Sequence, residues 1–327
     1  MENIGFKHHH VQLNDISYHF VTTGVGPAVL FCHGFPDLWR GWHNQMAAVA
    51  AQGYLAIAPD MRGFGETEAP EDPLAYTAID LVGDMIALLD HLSIDKAAII
   101  GHDWGATIAW AAALLRPDRF VAVAALSVPY TPRGPASLPA MLAKSAPPDL
   151  YMLYFLEPGL AEAELDSDPR TFLRRLFYSN SGDLSDGRIP SMRLAANGRL
   201  TDALEEPPAP LSWFNEEELN AYVVAYERTG FRGALNTYRS LDRTWQLMAA
   251  WADKVVTVPA FFIGASRDVV MHFPGMKDMV EQMTEILPNA NQSVVLEGAG
   301  HFIHLERVTE VNRLLIDFLG THFPARD

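Results

Sequence analysis

The sequence predicts an α/β fold: a mostly parallel, eight-stranded sheet with helices on both faces and a helical segment inserted late in the chain. Three observations carry that expectation. Short apolar runs of strand length alternate with helix-period stretches over the first 130 residues, the pattern of parallel strands joined by crossover helices. The alternation stops after Pro129, and from Thr131 to about Ala250 the chain is helical in pattern, aromatic-rich and broken by Pro and Gly, with no buried-strand pattern. Strand-like runs then resume at Val255. The expected organisation is a core in two parts, residues 1–130 and 251–327, with residues 131–250 as a helical cap.

Each element has its own signal. Residues 10–13 and 16–22 flank Asn14-Asp15 and read as a hairpin. Residues 28–32 form a short apolar run ending at His33-Gly34-Phe35-Pro36. A helix is expected over 42–51 and a strand over 55–58, followed by Pro59-Asp60-Met61-Arg62-Gly63-Phe64-Gly65. Leu81, Val82, Met85, Ile86, Leu88, Leu89 and Leu92 recur at helical period and place a helix over 79–92. Strands are expected over 97–100, 121–126, 260–264 and 293–296, and an amphipathic helix over 310–319 closes the pattern. The acidic stretch 162–168 and the proline-rich 205–210 read as solvated loops or helix ends.

Composition narrows the function classes. The chain has 327 residues, of which 49% are apolar, enough for a large core. A net charge of −16 repels nucleic acid and anionic lipid, so neither is an expected partner. Cys32 is the only cysteine, so no intrachain disulfide is possible, which fits a cytoplasmic protein. The N-terminal stretch MENIGFKHHH has no apolar segment of a secretory leader, and no apolar run is long enough to span a bilayer. His8, His9 and His10 read as a strand start near a solvated terminus, with a weak metal site or a tag remnant as the alternatives.

The chemistry centres on Gly101-His102-Asp103-Trp104-Gly105. A strand, then Gly-x-nucleophile-x-Gly, then a helix is the nucleophile elbow of α/β-hydrolases. The glycines permit a turn tight enough to hold the middle side chain above the sheet. That side chain is a carboxylate rather than the usual serine. A carboxylate is a weak acyl-transfer nucleophile but can displace at an electrophilic sp3 carbon and form an alkyl ester, which favours epoxides or alkyl halides as substrates.

Hydrolysis of such an ester needs a base for water and a partner that orients the base. His301, in Gly300-His301-Phe302 past the last expected strand, is the best base. His304, His102 and His33 fit worse, and Cys32 reads as a buried strand-end thiol. Asp268 follows the 260–264 strand and is the expected orienting acid, with Asp278 and Glu297 as fallbacks. The other usual place for this acid, after the 121–126 strand, offers Ser127, Val128 and Pro129 and no carboxylate. The order Asp103, Asp268, His301 is nucleophile, acid, histidine. Oxyanion donors are expected from the backbone N–H groups of Trp104 and Phe35, since Pro36 has none. A cis Phe35-Pro36 bond is compatible with the motif.

Together these residues resemble the α/β-hydrolase-fold epoxide hydrolases along nearly the whole chain. In the core the resemblance rests on His33-Gly34-Phe35-Pro36, Asp60-Met61-Arg62-Gly63-Phe64-Gly65, Gly101-His102-Asp103-Trp104-Gly105 and Gly300-His301. In the expected cap it rests on the segments 151–159 (YMLYFLEPG) and 231–239 (FRGALNTYR). The core motifs are shared with haloalkane dehalogenases, and the cap motifs are more specific. The resemblance implies that Tyr151 and Tyr238 are the paired lid tyrosines that polarise and protonate the epoxide oxygen. Tyr154, three residues from Tyr151, competes for its role, while Tyr178, Tyr222 and Tyr226 are expected to pack within the cap. His33, Pro36, Trp39, Tyr154 and Phe302 are expected to line the substrate pocket. The expected substrate is a small apolar epoxide with water, with no metal or organic cofactor, in a monomer or homodimer without the extra phosphatase-like domain of some mammalian relatives. Thr67 stands where a serine is common.

Two rivals remain open at this level. A haloalkane dehalogenase would be expected to carry Asn where Phe35 stands, and a fluoroacetate dehalogenase Arg where Trp104 stands. A non-catalytic ligand-binding member of the fold would not need the full set of Asp103, Asp268, His301 and both tyrosines.

Overall fold

The computed structural model describes residues 5–291 and 293–325. The first four residues of the polar N-terminal stretch lie outside it, as do Gln292 and the last two residues. The strands are β1 (Lys7–Leu13), β2 (Ile16–Gly24), β3 (Ala28–Cys32), β4 (Leu55–Pro59), β5 (Ala97–His102), β6 (Phe120–Leu126), β7 (Ala260–Ala265) and β8 (Val294–Leu296). They form one sheet in the order β1-β2-β4-β3-β5-β6-β7-β8. The β1–β2 and β2–β4 pairs are antiparallel, and every pair from β4 to β8 is parallel.

Helices α1 (His43–Ala50), α2 (Ala78–His91) and α3 (Trp104–Leu115) cross between the early strands. Every residue of β3, β5 and β7 is buried, as apolar runs covered on both faces require. Side chains alternate between the two faces. Leu30, Cys32, Ile99 and Val123 meet α2 and α3 through Leu81, Met85, Leu88 and Ala109. Val29, Phe31, Ala98 and Ile100 face the opposite layer, where Met46 and Val49 of α1 pack. The helix α13 (Val308–His322) completes that layer with Val311 and Leu315.

Between β6 and β7 the chain forms α4 (Leu138–Ser145), α5 (Tyr151–Leu156), α6 (Leu160–Leu165), α7 (Pro169–Ser179), α8 (Glu216–Thr229), α9 (Arg232–Arg239) and α10 (Leu241–Leu247), and none of the described residues there joins the sheet. After β7 come α11 (Met276–Ile286) and the short α12 (Ile303–Glu306). No helix among the described residues is long and apolar enough to cross a membrane.

The acidic stretch 162–168 is not uniformly solvated. Glu162 and Glu164 are buried. Glu162 pairs with Arg239 at 2.6 Å. Glu164 accepts from the backbone N–H groups of Leu200 and Thr201 and from the Tyr154 hydroxyl. Charges tolerate burial when their partners are buried with them, and those partners lie more than 30 residues away in sequence apart from Tyr154. The proline-rich 205–210 is solvent-facing, as expected from its composition.

Candidate active site

Asp103 sits at φ 54°, ψ −121°, between β5 and α3. Few non-glycine residues adopt a positive φ, and it is held here by the packing on either side. A Cβ on Gly105 would lie 2.0 Å from the Cys32 carbonyl oxygen, and one on Gly101 would lie 2.1 Å from the Gly105 carbonyl oxygen. Glycine at both positions is therefore a steric demand of the turn. It lets α3 start against the end of β3 and aims Asp103 out of the sheet.

The Phe35 N–H donates to Asp103 Oδ1 at 2.8 Å, and the Trp104 N–H is a second backbone donor to the same carboxylate. Phe35-Pro36 is a cis peptide. Burial pushes the Asp103 pKa up, against the pull of His301 and the two N–H donors.

Asp268 follows β7 and is fully buried. Its Oδ1 lies 3.0 Å from His301 Nδ1 and also accepts from the Val270 N–H. With Nδ1–H given to Asp268, His301 Nε2 faces Asp103 and is 3.7 Å from Oδ2. The loop is fixed on both sides: the His301 N–H donates to the Asn180 carbonyl, and its own carbonyl accepts from His102 Nε2. Burial alone would lower the imidazole pKa. The charge and hydrogen bond of Asp268, with the charge of Asp103, overcome this and raise it to about 9.

Tyr151 begins α5 and Tyr238 lies on α9, and both are buried. Their ring centroids are 6.4 Å apart. The Tyr238 ring meets Trp104 edge-on at 4.8 Å and Phe35 at 6.0 Å. Among the described residues neither hydroxyl donates to a protein acceptor. Three other buried tyrosines of this region are spent: Tyr154 on Glu164 and the Leu160 carbonyl, Tyr222 on Asp37, and Tyr226 on the Pro36 carbonyl. Burial, reinforced by the Asp103 charge, pushes both the Tyr151 and Tyr238 pKa values up, so both remain phenols. Phe35, Trp104, Phe155 and Phe172 pack with these rings into an apolar wall.

Asp103, Asp268, His301, Tyr151, Tyr238 and the Phe35 and Trp104 N–H groups thus come together. The expected pocket residues divide. Phe302 packs against the His301 ring at 5.1 Å, and Pro36 lies buried in the turn after Phe35. Tyr154 does not face the site, because its hydroxyl is turned to Glu164. Trp39 is directed away from it, with its ring on Phe6 and His8. His33 is buried, and its Nε2 accepts from the Met61 N–H, which makes it a support for the loop rather than a pocket wall. The fallback acids Asp278 and Glu297 are exposed. His304 is buried against Asp37 at 2.9 Å. A surface hollow of about 570 Å³ beside Glu71 and Arg239 includes none of these reactive groups.

Two residues near the histidine were given no role by the sequence reading. Ser127, at the end of β6, places Oγ 3.1 Å from His301 Nδ1, a second polar neighbour on the nitrogen that Asp268 holds. Its strand-end position after β6 was the only available signal. Glu306 accepts from the Gly300 and Gly182 N–H groups at 2.8 Å each, so it ties the loop before His301 to the segment after α7. No local pattern marks it, since one partner lies 124 residues away.

Residues 27–308 match the family described as alpha/beta hydrolase fold. The chain is 41% identical to Epoxide hydrolase 1 of Siraitia grosvenorii, over 98% of this chain and 99% of that one. It is 39% identical to Epoxide hydrolase A of Mycobacterium tuberculosis, over 94% and 96% of the two chains. The solved structure of an epoxide hydrolase from an endophytic Streptomyces superposes with a TM-score of 0.91 at 38% identity, covering 97% of this chain and 96% of that one. By this likeness along nearly its whole length, this chain, with its eight-stranded sheet and an aspartate at the elbow, belongs to the epoxide hydrolases of the α/β-hydrolase fold.

Proposed function

We propose that this epoxide hydrolase makes vicinal diols in two steps through an ester on Asp103. Oδ1 is held by the Phe35 N–H, which leaves Oδ2 as the attacking atom. Oδ2 forms a bond to one ring carbon, the carbon–oxygen bond of the ring breaks, and the electron pair stays on the former ring oxygen. That oxygen takes a proton from Tyr151 or Tyr238. An alkoxide is a poor leaving group without a proton, which is the reason for two phenols rather than weak donors.

In the second step His301 Nε2 takes a proton from water as its oxygen adds to the ester carbonyl. The Phe35 and Trp104 N–H groups hold the resulting oxyanion. Collapse breaks the ester bond to the diol oxygen, which receives the proton from His301. The acid proton left on Asp103 returns to the phenolate. Asp268 orients the imidazole and stabilises its charged form.

The observation that carries this reading is the pair of buried tyrosines, Tyr151 and Tyr238, beside the Asp103 carboxylate, whose hydroxyl protons have no protein acceptor among the described residues. A halide would need no proton donor, and Phe35 brings no side-chain donor for one. We place residues 131–250 as a cap that supplies the tyrosines. A small apolar epoxide fits the aromatic wall, and a cytoplasmic setting rests on the lone buried cysteine. Replacing Asp103 by Ala tests the reading: diol formation is expected to vanish, and unchanged turnover would refute the mechanism.

A further inference from the structure

We propose that His10, His19 and Glu66 form a binding site for one divalent transition-metal ion of the zinc type, with His8 within reach as a fourth donor.

The site lies at the β1 edge of the sheet. β1 pairs with β2 so that His10 stands directly opposite His19. With a two-residue period, His8 and His10 share one face and His9 takes the other. His9 accordingly stacks on Phe20 at 4.6 Å and contacts Thr22 Oγ1. The run of three histidines is therefore split, and only two of them meet His19.

The donor atoms of His10, His19 and Glu66 lie within 4.8 Å of one another. His10 Nε2 is 2.8 Å from Glu66 Oε2, and His8 Nδ1 is 3.0 Å from His19 Nε2. Tetrahedral zinc with bonds of about 2.0–2.1 Å puts its donors about 3.3 Å apart. These two contacts must open by a few tenths of an ångström to admit the ion, and the other donor pairs, within 4.8 Å of one another, must draw in toward the same spacing.

The buried member is preset for ligation. Asp60 Oδ2 lies 2.8 Å from His19 Nδ1, so Nδ1–H is committed and the Nε2 lone pair faces the other donors. A carboxylate behind a histidine in this way fixes its tautomer and raises its basicity as a ligand. Asp60 is itself held, accepting from the Trp39 and Glu66 N–H groups. His10 and Glu66 are exposed, which leaves a path for the ion from solvent. Imidazole-rich donors suit zinc, nickel or copper and not magnesium or calcium. The second trio of suitable residues, Asp37, His102 and His304, is wholly buried, with His304 Nε2 on Asp37 and His102 Nε2 on the His301 carbonyl, so an ion has no exposed donor through which to enter.

A bound ion would clip the edge hairpin to the turn that carries Asp60 and Glu66. It would stabilise the folded state by mass action and take no part in the reaction. The test uses untagged full-length protein stripped with EDTA and titrated with ZnCl2, followed by calorimetry, thermal melting and epoxide turnover. One Zn2+ per chain is expected, with a raised Tm and unchanged turnover, and MgCl2 should have no effect. His10→Gln and Glu66→Gln should each weaken binding by about tenfold or more, while His9→Gln should leave it unchanged. An absence of saturable one-to-one binding would overturn the proposal. Equal weakening in His9→Gln would overturn it as well, since the ion would then be held by the histidine run and not by this face. So would wild-type affinity in His10→Gln.

Discussion

Oδ2 of Asp103 lies 3.7 Å from Nε2 of His301, outside hydrogen-bonding range. Nucleophile and base are neighbours but unbonded, so the first step does not require the histidine. His301→Gln should therefore form the ester and fail to release it. Intact mass spectrometry of this variant with excess epoxide should show about one substrate added per chain and no diol beyond it. Release of diol at the wild-type rate would remove His301 from the mechanism.

The His301 pKa of about 9 depends in part on the charge of Asp103. Ester formation removes that charge, so the imidazole should become a weaker acceptor of protons just when it must be neutral to act on water. Ester hydrolysis, followed in single turnovers across pH, should reach its plateau below pH 9, and the ester should accumulate as pH falls. A plateau first reached above pH 9 would mean that the Asp103 charge does not control the base.

Tyr151 and Tyr238 make a graded prediction. Tyr151→Phe and Tyr238→Phe should each slow ester formation, and the double variant should lose about 10²–10⁴-fold, the range for general acid assistance. Tyr154→Phe should keep near-wild-type kinetics. It should instead cost about 1–3 kcal/mol of stability, since buried Glu164 loses a donor. Urea denaturation beside rapid-mixing kinetics separates the two effects. A large kinetic loss in Tyr154→Phe would reassign the acid.

Glu306 makes a prediction about stability and pH. Burial, only partly offset by its two N–H donors, raises its carboxyl pKa to about 7 from an ordinary 4.5. The folded state then binds this proton more tightly than the unfolded state. Its contribution is fully present below pH 4.5 and is lost as pH rises through 7. Relative to Glu306→Gln, the wild type should lose up to about 3 kcal/mol between pH 4.5 and 8. His301 acts with the same sign at higher pH, where its stabilisation, present below about 6.5, is lost as pH rises through 9. Parallel stability curves for wild type and variant across this range would show that Glu306 does not titrate there.

What could be read from the sequence and what could not follow from the range of the interactions. Asp103 was legible because its turn imposes a local demand, glycine two residues to either side, that no distant contact can relax. Asp268 and His301 were legible because each follows a strand whose apolar run is itself visible. Tyr151 and Tyr154 could not be separated by spacing, because the choice is made by Glu164, a buried acid that a charge run suggested was solvated. Trp39 pointed the wrong way for the same kind of reason, since the edge strand β1 offers its ring Phe6 and His8. Ser127 reaches His301 across 174 residues, and Glu306 ties the histidine loop to Gly182 across 124. Such contacts exist only once the sheet has assembled.

A single turnover of excess enzyme with styrene oxide in 18O-labelled water examines the ester route itself. Both the diol and the peptide containing Asp103 would be weighed. Label in Asp103 with unlabelled diol is the expected result, because water adds to the ester carbonyl and the diol keeps an oxygen of the carboxylate. Labelled diol with unlabelled Asp103 would contradict it, and would mean that water attacks the epoxide directly.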